Sequence, residues 1–324
     1  MKLMRYSRKN EPAALARLGI LVGDDLVADL RAGHALYLLE VKGNRKGEEM
    51  AGIFMPPYIT QFLYLGDPGW EAIAETYGWM CDLARRDPDG SGLRGEPLFL
   101  PLDECRLYAP VRPGKLIAIG RNYLDYTREG TRQARGFPAA FVKTTSSITG
   151  PGRDILKPTG THDLDCATEL AVVIGRKCKH VAPEKAFEYV AGYTILNDVS
   201  ARDIAARERE AGQVLLGKCF DTFAPLGPWL VTRDEIADPM RLSVRTRVNG
   251  VLRQESDTST MVHAIPQLIA YLSQMTLMPG DIIATGSPGA LVSSANRPLV
   301  AGDMIESEIE GIGVLRNAVV DEPE

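Results

Sequence analysis

The sequence predicts an α+β chain, rich in strands, organised as a smaller N-terminal α+β domain and a larger β-rich domain. Three observations carry this. Short apolar runs bounded by Gly, Pro, Asn and Asp recur along the whole chain. Stretches with helical apolar spacing are fewer and stand between them. Four prolines (97, 101, 110 and 113) crowd residues 97–113, which reads as an extended connector and divides the chain into 1–109 and 110–324.

In order, residues 2–6, 18–22 and 26–30 are strand-like, and Gly23-Asp24-Asp25 fits a hairpin turn between the last two. Residues 34–39 and 59–65 carry helical spacing. The stretch 71–86 is a stronger helix, stopped by Asp87-Pro88-Asp89-Gly90. His34 is the lone histidine of this half and reads as structural or surface. After the connector, 115–120 and 139–143 are strands, with Lys143 at the end of the second. Between them the polar, Gly-bracketed stretch 121–136 is a candidate mobile lid or, as composition alone favours, a surface loop. Residues 146–160 read as loop, 168–174 as strand, 183–190 as helix and 192–196 as strand. Ser200 with Asp203 suggests a helix N-cap. Asn249-Gly250 between 242–248 and 251–254 predicts a hairpin with a type I′ turn. Residues 262–276 are helical in spacing, and strands at 282–285, 304–309 and 313–318 close the domain.

Composition narrows the function. With 45% apolar and 24% charged residues the chain is an ordinary globular protein. A net charge of -5 and the lack of a dense Lys/Arg run argue against a nucleic acid partner. No stretch approaches 18 uninterrupted apolar residues, and residues 1–6 contain no apolar core of a signal peptide, so a membrane partner is not expected. Five cysteines without a C-x-x-C pair fit reduced thiols in a cytoplasmic protein.

Chemistry gathers in 164–203. Glu169 and Asp198 are each set into apolar strand sequence, where a carboxylate is costly to bury without a cation or hydrogen bonds. Two carboxylates plus waters suit Mg²⁺ or Mn²⁺. Buried acids also cap helices or meet arginines, and the bare pattern leaves both open. Lys218 likewise sits among apolar residues and needs an anionic partner, either a carboxylate substrate or Asp221. The four histidines form no i, i+4 pair, no G-x-S-x-G elbow occurs, and no Gly-rich dinucleotide fingerprint follows a strand.

Five blocks occur in the order seen in the fumarylacetoacetate hydrolase family, which the chain resembles over about residues 110–319. They are Gly-Arg-Asn-Tyr at 120–123, Glu-Leu-Ala-Val-Val-Ile-Gly at 169–175, Gly-Tyr-Thr-Ile-Leu-Asn-Asp-Val-Ser-Ala-Arg-Asp at 192–203, Gly-Lys-Cys-Phe-Asp at 217–221 and Pro-Gly-Asp-Ile-Ile-Ala-Thr-Gly at 279–286. The resemblance implies mixed β-sheets rolled around the active site, usually in a homodimer. It also implies Mg²⁺- or Mn²⁺-dependent chemistry on β-diketo or 2-oxo acids, most often hydrolytic C–C cleavage, with decarboxylases and isomerases as relatives.

Carried over position by position, it implies metal ligation by Glu169 and Asp198, with Ala167 where a third carboxylate belongs. It implies catalytic roles for Glu129, Tyr126 and Lys218, Tyr126 replacing the lid histidine, and substrate contacts for Arg121, Tyr123, Lys143 and Ser287. A substrate-contacting glutamine is replaced by Ala205. A phenol with an ordinary pKa of about 10 is a poor base at neutral pH. Three readings follow: a C–C bond hydrolase with a depleted site, which the resemblance favours; a divergent tautomerase, isomerase or decarboxylase using Tyr126; and an inactive binding or scaffold member.

Overall fold

The structure, a computed structural model, describes residues 1–124, 136–289 and 297–323. The chain forms two compact units, Met1–Arg112 and Pro113–Glu324. The architecture is α+β and β-rich.

In the first unit, strands β1 (Lys2–Arg8), β2 (Arg17–Val22), β3 (Leu26–Asp29), β4 (Phe99–Pro101) and β5 (Cys105–Tyr108) pair in the order β4-β3-β2-β1-β5, all antiparallel. The expected connector is therefore corrected. Residues 99–108 contribute two edge strands of this sheet, because the open sides of β3 and β1 carry backbone groups that need partners. Pro101 ends β4 at the sheet margin, where a missing N–H costs no ladder bond. Gly23 turns the β2–β3 hairpin with φ +63.

Helices Leu30–Glu40, Gly47–Phe54, Ile59–Leu63 and Asp67–Arg86 follow β3. Asp29 caps the first, its Oδ1 accepting from the Ala32 amide at 3.0 Å. The fourth begins four residues before the apolar spacing starts, with Pro68 in its opening turn. The helix Gly47–Phe54 was not expected, since it buries only Gly47 and Ala51 and so shows little apolar periodicity. His34 is structural: it is buried, with Nδ1 2.7 Å from Thr76 Oγ1. The Thr76 hydroxyl donates to Ala72 O, so His34 Nδ1 is the donor to it. Burial holds its pKa down at about 4.

In the second unit, β6 (Leu116–Gly120), β7 (Ala139–Lys143), β8 (Ile148–Thr149), β9 (Ile155–Lys157), β10 (Leu164–Asp165), β11 (Thr168–Ile174), β12 (Val190–Asn197), β13 (Ser200–Ala201), β14 (Ala224–Thr232), β15 (Ser243–Val248), β16 (Val251–Asp257), β17 (Ile282–Ala284), β18 (Met304–Ile309) and β19 (Gly313–Asp321) make three sheets. The main one runs β14-β12-β11-β17-β6-β7, parallel only between β17 and β6 among these pairs, with β8 beside β14. A second runs β16-β15-β18-β19-β9, and β10 pairs with β13. Residues 148–149 and 155–157, read as loop, are short strands made by long-range pairing rather than by local pattern.

All seven residues of β11 are buried. Leu170, Val172 and Ile174 join Tyr193 and Ile195 of β12, Leu268 and Ile269 of the helix Ile265–Leu272, and Ile309 and Leu315 of the second sheet in one core. Both faces of β11 are covered, which is why its sequence is an apolar run and not an alternation. Asn249 and Gly250 both have positive φ (52 and 77), as a type I′ turn requires. The spacer between β11 and β12 is a 3₁₀ helix, Pro183–Tyr189. No helix among the described residues is long and apolar enough to cross a membrane.

Candidate active site

Register brings the acids together. Thr168 pairs with Asn197 and Glu169 with Leu196, so side chains at 169, 196 and 198 share one face of the β11–β12 pair. Beyond the last pair, the Asp198 amide donates to Ala167 O at 2.8 Å and the Ala167 amide to Asn197 Oδ1 at 3.0 Å. These bonds hold Asp198 at the strand end and leave a methyl group, that of Ala167, beside it. Among the described residues no group of three His, Cys, Asp or Glu could hold a metal ion.

Two lysines converge on Asp198. Lys143, at the end of β7, is wholly enclosed; its Nζ donates to Asp198 Oδ1 at 2.7 Å, to Lys218 O at 2.6 Å and to Val199 O at 3.2 Å. Lys218, on the short helix Leu216–Cys219, donates to Asp198 Oδ2 and keeps 12% of its side chain exposed. Its Nζ also lies 5.1 Å from the centre of the Phe141 ring. The pairing of Lys218 with Asp221, left open by the sequence, is replaced by pairing with Asp198.

The helix carrying Lys218 is anchored by Glu208, whose carboxylate accepts from the amides of Leu215, Leu216 and Gly217 at 3.1, 2.7 and 3.1 Å. Nothing in the local pattern marks Glu208 as more than a solvated helix residue. Gly217 packs on Ala205: a Cβ there would lie 2.6 Å from the Ala205 amide nitrogen. Ala205 is buried in this contact. The expected N-cap at Ser200 is corrected. The helix Arg202–Glu210 starts after Ala201, Ser200 belongs to β13 with its hydroxyl donating to Asp198 O, and Asp203 accepts from Thr161 Oγ1 at 2.6 Å.

Glu169 is 3% exposed, and its Oε2 accepts from the Gly286 amide at 3.0 Å. Burial, and then the charge of Asp198, push its pKa up to about 8. Burial also works against ionised Asp198, but the Lys143 and Lys218 ammonium groups outweigh it and hold that carboxyl below its usual value. Burial, with Lys218 nearby, draws the Lys143 pKa down despite Asp198. The two acids, both nine-tenths buried on one face, are thus shifted in opposite directions.

Of the expected site residues, the structure brings Lys143, Glu169, Asp198 and Lys218 together, and Ser287 is buried next to Gly286. Arg121 is exposed in left-handed backbone (φ +57). Tyr123 is buried among core side chains, its backbone bridged to Met261. Tyr126 and Glu129 lie outside the described residues.

The family model described as fumarylacetoacetate (FAA) hydrolase C-terminal matches residues 115–320. The chain belongs to the fumarylacetoacetate hydrolase family. The human protein named oxaloacetate tautomerase FAHD2A, mitochondrial, is 41% identical over 270 residues, which is 82% of this chain and 81% of its own. The solved structure of 5-carboxymethyl-2-hydroxymuconate delta-isomerase from Mycobacterium smegmatis is 32% identical, with a TM-score of 0.69 over 100% of both chains. Maleylpyruvate hydrolase from Sphingobium sp. SYK-6, solved with manganese(II) and pyruvate, is 30% identical, with a TM-score of 0.67 and the same full coverage. Members of this family are thus tautomerases, isomerases and hydrolases, and one of them is solved with a divalent metal.

Proposed function

We propose that this protein is a keto–enol tautomerase of a small 2-oxo acid, with oxaloacetate the substrate to try first. The observation that carries the reading is the Lys143–Asp198–Lys218 cluster set against Glu169 and the Gly286 amide. Tautomerisation needs a place where an enolate is stabilised and a group that moves a proton at the neighbouring carbon; it needs no activated water. Lys218, the less enclosed ammonium, meets the enolate oxygen or the acid's carboxylate, and Lys143 holds Asp198 in place. A phenol at 126 suits proton delivery to C3 better than water activation, with Glu129 returning the proton to it. The enol hydroxyl proton leaves as C3 gains one, so the reaction balances without water.

The donor set suits a Mg²⁺ or Mn²⁺ ion that keeps waters: Glu169 and Asp198 would hold it as carboxylates on one buried face. Such an ion supplies Lewis-acid polarisation of the 2-oxo group.

Ketonisation of enol-oxaloacetate, followed by ultraviolet absorbance with Mg²⁺ or Mn²⁺ present, tests the reading. The protein accelerates it, and Lys218→Met removes about 100-fold or more of the rate. Tyr126→Phe abolishes the acceleration as well. No acceleration over buffer overturns the proposal. A second reading, C–C bond hydrolysis, draws on the 30% identity to a maleylpyruvate hydrolase and on Glu129. Cleavage of an acylpyruvate faster than enol ketonisation would establish it instead.

A further inference from the structure

Gln254 of β16 is 4% exposed and lies outside every motif considered so far, yet it ties three parts of the site's framework together. Its Nε2 donates to Pro288 O at 2.9 Å. Its Oε1 accepts from the Thr246 hydroxyl at 2.7 Å and, more weakly, from the Thr168 amide at 3.4 Å. A backbone N–H can only donate and a backbone carbonyl can only accept, so the orientation of the amide is forced. The Thr246 hydroxyl spends its proton on Gln254 and therefore accepts from the Thr168 hydroxyl, 2.6 Å away. The result is an ordered buried chain from β11 through β15 and β16 to the turn at 286–288.

That turn is what aims the Gly286 amide at Glu169. Its entry is fixed by Thr285, whose amide and hydroxyl both donate to Leu170 O at 2.9 Å, and by Asn122 Nδ2, which donates to Thr285 O at 2.8 Å. Its exit is fixed by Gln254 at Pro288. Gly286 and Ser287 are held between the two clamps, and Gly286 has a positive φ (+92) that only glycine adopts readily. Thr168, the other partner of Gln254, is the residue before Glu169.

We infer that Gln254 is a positioning residue for the active site: it acts through Pro288 and Thr168 to keep the Gly286 amide on Glu169 and the Ser287 hydroxyl at the same pocket wall. Gln254→Met keeps the length and volume of the side chain and removes both hydrogen-bonding ends. Hydrogen–deuterium exchange on this folded variant speeds about tenfold at the amides of Gly286 and Ser287, while the β15–β16 hairpin stays protected. Its kcat for enol-oxaloacetate falls about tenfold and KM stays within about twofold, since the lysines that attract the acid are untouched. The kinetic arm rests on the tautomerase reading; the exchange arm does not, so a protein without that activity still tests the clamp. Unchanged exchange at 286–287 in folded Q254M overturns the inference. So does faster exchange at the hairpin and the turn alike, which marks a merely structural glutamine. If Q254M does not fold, Gln254→Glu keeps the acceptor for Thr168 and sets a carboxylate oxygen against Pro288 O, and the same outcomes apply.

Discussion

At the scale of single residues, the two lysines that share Asp198 have different duties because their burial differs. Lys143 is sealed and its ammonium donates to three protein acceptors; Lys218 retains a partly open side chain. Removing one partner of a buried pair leaves the other uncompensated, so Lys143→Met lowers stability by about 3 kcal/mol, read in urea unfolding. Lys218→Met lowers it less and removes about 100-fold or more of the rate. Equal stability losses with equal activity losses would refute this division. Lys218 was legible as a candidate because it is an ammonium in apolar sequence; Lys143 was a candidate only through the family resemblance. Their common partner was not legible, since Asp198 lies 55 residues from one and 20 from the other.

Among elements, the turn at 286–288 and the hairpin at 249–250 show how differently glycine serves the fold. Gly250 needs positive φ and has open space around it, so Gly250→Ala strains only a surface turn. A Cβ on Gly286 would lie 2.7 Å from Ile119 O and 2.9 Å from Asn122 Cβ, besides the strain of φ +92. Gly286→Ala therefore costs about 2 kcal/mol or more and misaims the amide that holds Glu169. Thermal melts of the two variants with the ketonisation assay separate the cases: G250A keeps its kcat and G286A loses it. The hairpin was readable from Asn-Gly between two strand-like runs. The role of Gly286 was not, because the atoms it would strike come from β6 and the residue pair after it.

Over the whole molecule, the cluster belongs entirely to Pro113–Glu324, while the buried titratable His34 belongs to Met1–Arg112. Stability and activity are therefore expected to uncouple in acid. His34 is held at about 4, below its unfolded value of roughly 6.5, so the unfolded chain binds a proton more readily. The stabilisation it brings is complete above pH 6.5 and is lost as pH falls towards 4. Melting temperatures across that window fall less steeply in His34→Gln than in the parent chain, with kcat at pH 7 unchanged. An identical slope would show that the imidazole is not neutral when folded.

The sequence by itself determined the α+β class, most strands of both units, the I′ hairpin, the candidate acids and Lys218, because apolar periodicity, turn chemistry and charge in apolar surroundings are local signals. Only tertiary structure decided that residues 99–108 are sheet edges and that Tyr123 is core. It alone joined both lysines to Asp198, buried Glu169 beside that charge so that its pKa rises, and made Gln254 the clamp on the turn facing it. Those outcomes depend on which backbone groups remain unpaired once distant strands meet, and on how much water is left around each charge; neither is written in any short stretch of the chain.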